Sequence, residues 1–247
     1  MLINDSHIHV GQFYEKYYSP EYICSFIEEM NINKATVSST TTCEENYLKV
    51  IFEFHQLKKL CIYNVLPILW LTPKMIKNLK LDQILNSGIN WKCLKIHGLI
   101  HNWLPNGRLF RQVIEIALKH QVPILIHTGG DKKCDAGSYL NVIKKYPNQI
   151  FILAHGRPID QALEVMKQCK NAWVDTAFMP LENIRLLETN GLLDRVLFGS
   201  DFPITIHNEQ NLSDMDWYKN RITEIVDIIG NEKFRKISEE NFNRLFC

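Results

Sequence analysis

The sequence predicts an α/β fold: a single, slightly distorted (β/α)8 TIM barrel with a C-terminal helical extension. Three observations carry this. Eight short runs rich in Ile, Val, Leu and Phe recur at residues 2–10, 34–39, 60–66, 93–98, 122–128, 150–155, 172–177 and 195–200. Such near-continuous apolar runs suit parallel strands buried on both faces. A helical pattern follows each run, and strand–helix alternation implies parallel strands joined by helical crossovers. The chain has 247 residues, close to the roughly 250 typical of one closed barrel. Residues 1–247 therefore read as one domain. An open doubly wound sheet is the rival, but the first run ends in His7-Ile8-His9-Val10-Gly11 and not in a glycine-rich phosphate turn.

Each helix has its own warrant. Residues 20–30 place Ile23, Phe26, Ile27 and Met30 on one face, and Tyr47, Val50, Ile51 and Phe54 do the same in the next segment, as helical spacing requires. The third, 73–85, opens on Pro73, suited to a first helical turn, and Gly88 lies just beyond it. Leu109, Val113, Ile116 and Ala117 form the fourth stripe. Residues 140–146, 159–169, 181–188, 217–229 and 239–246 supply the rest.

Composition excludes several classes. Lys plus Arg is 28 and Asp plus Glu is 27, a net charge of +1, so nothing advertises a nucleic-acid or anionic-membrane partner. No run approaches the roughly 18 apolar residues of a membrane span. Met1-Leu2-Ile3-Asn4-Asp5 lacks the basic region of a secretory signal. The seven cysteines are scattered and form no Cys-x-x-Cys. That pattern argues against a zinc ribbon or disulfide scaffold, and for reduced thiols in a cytoplasmic protein. The expected partner is a small-molecule substrate. A homo-oligomer leaves no simple pattern in one chain and stays open.

The chemistry-bearing residues gather at strand ends. His7 and His9 lie on the first run, His97 ends the fourth, His127 the fifth and His155 the sixth, and Asp201 follows the eighth. Barrel active sites lie at the C-terminal ends of the strands. His7 and His9 are two apart, so both side chains share one face and can reach one ion. Imidazoles with a carboxylate suit a divalent ion, zinc first, with manganese, iron or cobalt as alternatives.

Lys95 and His97 share a face in the same way. An interior lysine needs a partner or a modification: a carboxylated bridge between two metals, a substrate carboxylate, or an ion pair to an aspartate such as Asp175. Ordinary readings stand beside these. His127 and His155 can simply bond loops, Asp201 can be a turn residue, and Arg157 a surface arginine. His55 and His120 read as helix residues. His101 and His207 read as loop residues without a ligand role, and Cys134 as incidental. Trp70 and Trp103 can wall a pocket.

Taken together, Asp5-Ser6-His7-Ile8-His9, Lys95-Ile96-His97, Ile126-His127, Ala154-His155-Gly156, Val174-Asp175-Thr176 and Phe198-Gly199-Ser200-Asp201-Phe202-Pro203 resemble the amidohydrolase superfamily, specifically its amidohydrolase-2 group of metal-dependent hydrolases and decarboxylases. Residues 240–246 resemble its terminal helix. The resemblance implies that His7, His9, His127 and Asp201 ligate one zinc, with a second metal open. It implies that Asp201 moves the proton of a metal-activated water, and that His155 ligates a metal or polarises the substrate carbonyl. Lys95, His97 and Arg157, with Arg108 as a further candidate, would hold the substrate. The expected reaction is hydrolysis of a small carboxylic amide, lactone or ester. The alternative is non-oxidative decarboxylation of a small aromatic or enal carboxylate. A deoxyribonuclease is disfavoured by Lys95 and His97, where a glutamate is usual. A barrel that only binds metal is disfavoured because every ligand position is intact.

Overall fold

Side chains that alternate between barrel interior and helical layer organise the molecule. The structure, a computed structural model, describes residues 2–61, 64–77, 80–204 and 212–247. His207 lies outside the described residues. The strands are β1 (Ile3–Phe13), β2 (Lys16–Tyr18), β3 (Ile32–Ser39), β4 (Val65–Trp70), β5 (Cys93–His97), β6 (Ile124–His127), β7 (Phe151–Ala154), β8 (Ala172–Asp175) and β9 (Val196–Leu197). They form one sheet in the order β2-β1-β3-β4-β5-β6-β7-β8-β9. All neighbours from β1 through β9 are parallel except β2, which returns antiparallel on β1 with Gly11 opposite Tyr18.

The first and last strands meet. Beyond β9 the backbone runs beside β1: Ser6 N–H donates to Phe198 O at 2.9 Å, Asp201 N–H to His7 O at 2.8 Å, and His9 N–H to Phe202 O at 2.7 Å. The parallel sheet thus curls into the TIM-barrel form the sequence predicts.

Helices cover the outside. They include α1 (Pro20–Glu29), α2 (Tyr47–Leu60), α3 (Pro73–Lys77), α4 (Lys80–Leu85), α5 (Gly98–His101), α6 (Arg108–His120), α7 (Leu140–Lys145), α8 (Ile159–Gln168), α9 (Leu181–Thr189) and α10 (Asp214–Ile229). Leu94, Ile96, Ile124, Ile126, Leu153 and Val174 face this layer in one large apolar cluster. The residues between them on the same strands, Cys93, Leu125, Ile152 and Trp173, form a separate inner cluster. After α11 (Asn231–Arg235) comes the last helix, α12 (Asn241–Phe246), whose Phe242 and Phe246 belong to that inner cluster and close it from one end. By the same alternation, Lys95 and His97 follow Cys93 on the interior face, His127 follows Leu125, and Asp175 follows Trp173. The polar site is the other end of the barrel core.

Two expectations need correction. The third strand is Val65–Trp70 and not 60–66, because α2 continues to Leu60. A short apolar run does not distinguish the end of a buried helix from a strand. The cysteines are not all free: Cys24 on α1 and Cys61 after α2 form a disulfide, with Cα atoms 5.9 Å apart. Across the expected helix 73–85 all described residues are helical, as α3 and α4. No helix among the described residues is long and apolar enough to cross a membrane.

Candidate active site

The His-x-His pair does what strand geometry demands. His7 Nε2 lies 3.1 Å and His9 Nε2 2.8 Å from the same oxygen, Asp201 Oδ1. Lys95 Nζ lies 2.9 Å from His7 Nε2 and 3.2 Å from His9 Nε2. Two imidazole nitrogens therefore already face a cation, with the Asp201 carboxylate beside both of them. All four residues are buried. Lys95 makes these contacts in place of the ion pair to Asp175 that was one of its expected readings.

The outer nitrogens fix the rings. His7 Nδ1–H donates to Asp175 Oδ2 at 2.9 Å, which leaves Nε2 with its lone pair inward. His9 Nδ1 bonds Ser38 Oγ at 3.0 Å. Asp175 also accepts the backbone N–H groups of His155 at 2.9 Å and Ala177 at 3.2 Å. This is the carboxylate–histidine arrangement that orients metal-ligating imidazoles. The set His7, His9 and Asp201 fits a divalent ion, and so by spacing does the set His7, His155 and Asp175.

His127 stands next to these sets. Its Nδ1 lies 3.1 Å from His155 Nε2. His155 Nδ1–H donates to Ala177 O at 3.0 Å, so its Nε2 is an acceptor and His127 Nδ1 carries the proton. A neutral His155 then has no N–H left for a substrate carbonyl, against the expected polarising role. His97 does have one. Its Nδ1 accepts Ile100 N–H at 3.3 Å at the start of α5, which puts its proton on Nε2. His97 stacks on His127 at 3.7 Å and on Trp70 at 5.5 Å.

Burial sets the charges. Desolvation first, and the Lys95 charge second, hold His7 and His9 far below the usual imidazole range. Desolvation does the same to His155, and pushes His127 down to about 3. His97 is lowered by burial and then by His127. Burial raises Asp175 to about 7 and lowers Lys95 to about 8. The five imidazoles are neutral at physiological pH, as metal ligation and the hydrogen-bond pattern both require.

The site opens into a cavity of about 450 Å³. His9, Lys95, His97, His127, His155 and Asp201 form its floor, and Trp70, Phe178, Phe13 and Ile100 its apolar walls. Arg157 reaches it from the loop after β7, where Nη2 donates to Phe178 O at 3.2 Å and the guanidinium lies over the Phe178 ring. Arg157 is thus part-buried at the mouth and not a free surface residue. Arg108 opens α6, is exposed, and does not line the cavity. Trp103 is buried away from it. Four site residues, Tyr14, His155, Phe178 and Asp201, have left-handed backbone, His155 and Asp201 at φ 69° and 60°, a strained state in non-glycine residues that functional sites tend to hold.

A family model described as Amidohydrolase, that of the amidohydrolase-2 group, matches residues 94–246. The chain belongs to the amidohydrolase-2 family. It is thus an enzyme of the amidohydrolase superfamily, whose members are generally metal-dependent. No curated protein matches this amidohydrolase by sequence. Solved structures share its fold. A probable 2-pyrone-4,6-dicarboxylic acid hydrolase from Acinetobacter baumannii, with citric acid bound, superposes with a TM-score of 0.73 at 15% identity, over 100% of this chain and 99% of that one. A 4-oxalomesaconate hydratase from Rhodopseudomonas palustris gives 0.63 at 17%, over 99% and 95%. A 2,6-dihydroxybenzoate decarboxylase complexed with 2,6-dihydroxybenzoate gives 0.63 at 12%, over 99% and 98%.

Sequence reasoning missed several residues of this amidohydrolase site. Phe178 and the hairpin residues Gln12, Phe13 and Tyr14 line the cavity, and no periodicity marked them. Ser38 is an inconspicuous strand serine. Asp175 stood in a recognised motif, but its bond to His7 crosses 168 residues of sequence.

Proposed function

We propose that this amidohydrolase hydrolyses a small carboxylic lactone, ester or amide, using one divalent ion, zinc first, held by His7, His9 and Asp201 with His127 beside them. The observation that carries this reading is the convergence of His7 Nε2, His9 Nε2 and Asp201 Oδ1, with both outer imidazole nitrogens tied. When bound, the ion supplies Lewis acidity and lowers the pKa of water toward neutrality. Asp201, which would hold the ion through Oδ1, takes the proton of the attacking water on its second oxygen, then returns it to the leaving group. His97 offers its Nε2–H to the substrate carbonyl oxygen. His155 orients His127 through their shared hydrogen bond. Lys95 and Arg157 face a substrate carboxylate, which Arg grips in bidentate fashion. Trp70 and Phe178 exclude water and favour a flat substrate.

The test is metal content together with product analysis on a panel of small lactones, esters, amides and aromatic carboxylates. One divalent ion per chain is expected, lost in His9→Ala. Asp201→Asn is expected to keep an ion and lose turnover by about 100-fold or more. Full activity of Asp201→Asn would overturn the assigned base. The aromatic walls also suit decarboxylation of a flat aromatic carboxylate, and release of carbon dioxide without uptake of water would move the enzyme to that reaction.

A further inference from the structure

The ligand set leaves one buried carboxylate beside it without a task. Asp5 is fully buried and lies two residues before His7, yet it does not line the cavity. The ladder between β1 and β3 shifts register here. Asp5 pairs with Ala35 and Ile8 with Val37, so three steps on β1 match two on β3. Such a bulge re-aims side chains and interrupts ladder bonding. The His7 N–H inside the bulge is taken by Asp5 Oδ1 at 2.9 Å.

The same oxygen accepts a second N–H, from Ser200 at 3.1 Å, 195 residues away. Ser200 immediately precedes Asp201, whose left-handed backbone is held on its other side by its own N–H to His7 O at 2.8 Å. Asp5 Oδ2 accepts the Tyr218 hydroxyl at 3.1 Å, which anchors the carboxylate to α10. One oxygen atom therefore bridges the backbone of one donor residue to the backbone adjoining another. The residues it bonds, His7, Ser200 and Tyr218, are all buried, where a lost hydrogen bond is costly.

We infer that Asp5 is a positioning residue of the metal centre: it clamps the β1 bulge to the Ser200–Asp201 turn and so sets the separation of His7 from Asp201. This rests on the metal-ligand reading above. Asp5 touches neither the donor atoms nor the cavity, so it acts only through those two backbones.

The experiment is titration of metal-free protein with Co2+, following the ligand-field absorption bands, with circular dichroism to confirm folding. In Asp5→Ala the affinity falls by about tenfold or more, the range known for outer-shell partners, and the bands shift. Asp5→Asn keeps an acceptor for both N–H groups and restores near wild-type affinity. Tyr218→Phe removes only the outer anchor; it lowers Tm and leaves affinity unchanged. A folded Asp5→Ala with wild-type affinity and bands overturns the inference and reduces Asp5 to a stabilising residue. If Asp5→Ala does not fold, Asp5→Ser, whose oxygen falls a bond short of the bridge, is read by the same criteria. Failure of the metal reading has a separate signature: the wild type takes up no Co2+, or His9→Ala binds it equally well. The inference then falls with it.

Discussion

Asp175 shows how one side chain governs a reactive group it does not share with substrate. It is fully buried and holds His7 Nδ1–H. Asp175→Asn offers an N–H to that nitrogen, which forces the proton to Nε2 and turns the inward lone pair away. Divalent-metal affinity is expected to fall by about 10–100-fold, measured by competition with a chelator. Lys95 carries a pH signature in the metal-free protein. Its folded pKa of about 8 lies below the ordinary value of 10.5. Between these values the folded chain binds fewer protons than the unfolded one, so stability rises with pH across that window and the cost is full below about pH 8. Thermal melts of metal-free protein from neutral to alkaline pH are expected to show that rise, and Lys95→Met to flatten it. The residues that present donors were legible in the sequence because strand spacing alone aligns His7 with His9 and Lys95 with His97. Their partners were not. Ser38 and Asp175 act through hydrogen bonds to rings on another strand, and the idle N–H of His97 rests on a backbone contact at the start of α5.

At the level of elements, the strands were legible because strands buried on both faces read as apolar runs. The hairpin of β1 and β2 was not, since three residues rich in tyrosine leave no such run. Within that hairpin Gly11 pairs with Tyr18. Its φ is +102°, and a Cβ there would lie 2.4 Å from Thr41 Oγ1. Gly11→Ala is expected to lower stability by more than about 1 kcal/mol and to displace Phe13 and Tyr14 from the cavity wall, seen as loss of protection from hydrogen exchange over β2. The terminal helix was placed by pattern, but its task was not. Phe242 packs against the inner cluster at the end of the barrel opposite the site. Phe242→Ala is expected to cost about 3–5 kcal/mol in denaturant melts.

For the molecule as a whole, alternation and length were enough to anticipate one parallel barrel. The pairing of Cys24 with Cys61 was not, because it depends on α1 lying beside α2 and not on cysteine spacing. That bridge closes a separation of 37 residues. Its reduction is expected to remove about 2–4 kcal/mol of stability, read as a lower Tm, with metal content unchanged because the bridge lies on the outer helices. The barrel is closed along the seam where β1 meets the backbone after β9, and that seam also brings His7 and His9 to Asp201. Closing the cylinder and assembling the donors are therefore one event. During synthesis the carboxylate emerges 192 residues after His9. A ribosome-held chain cut short before Val196 carries five of the six strand-end donors, yet it has no complete centre. The His7, His9 and Asp201 set is assembled only once the tail of the barrel has been made.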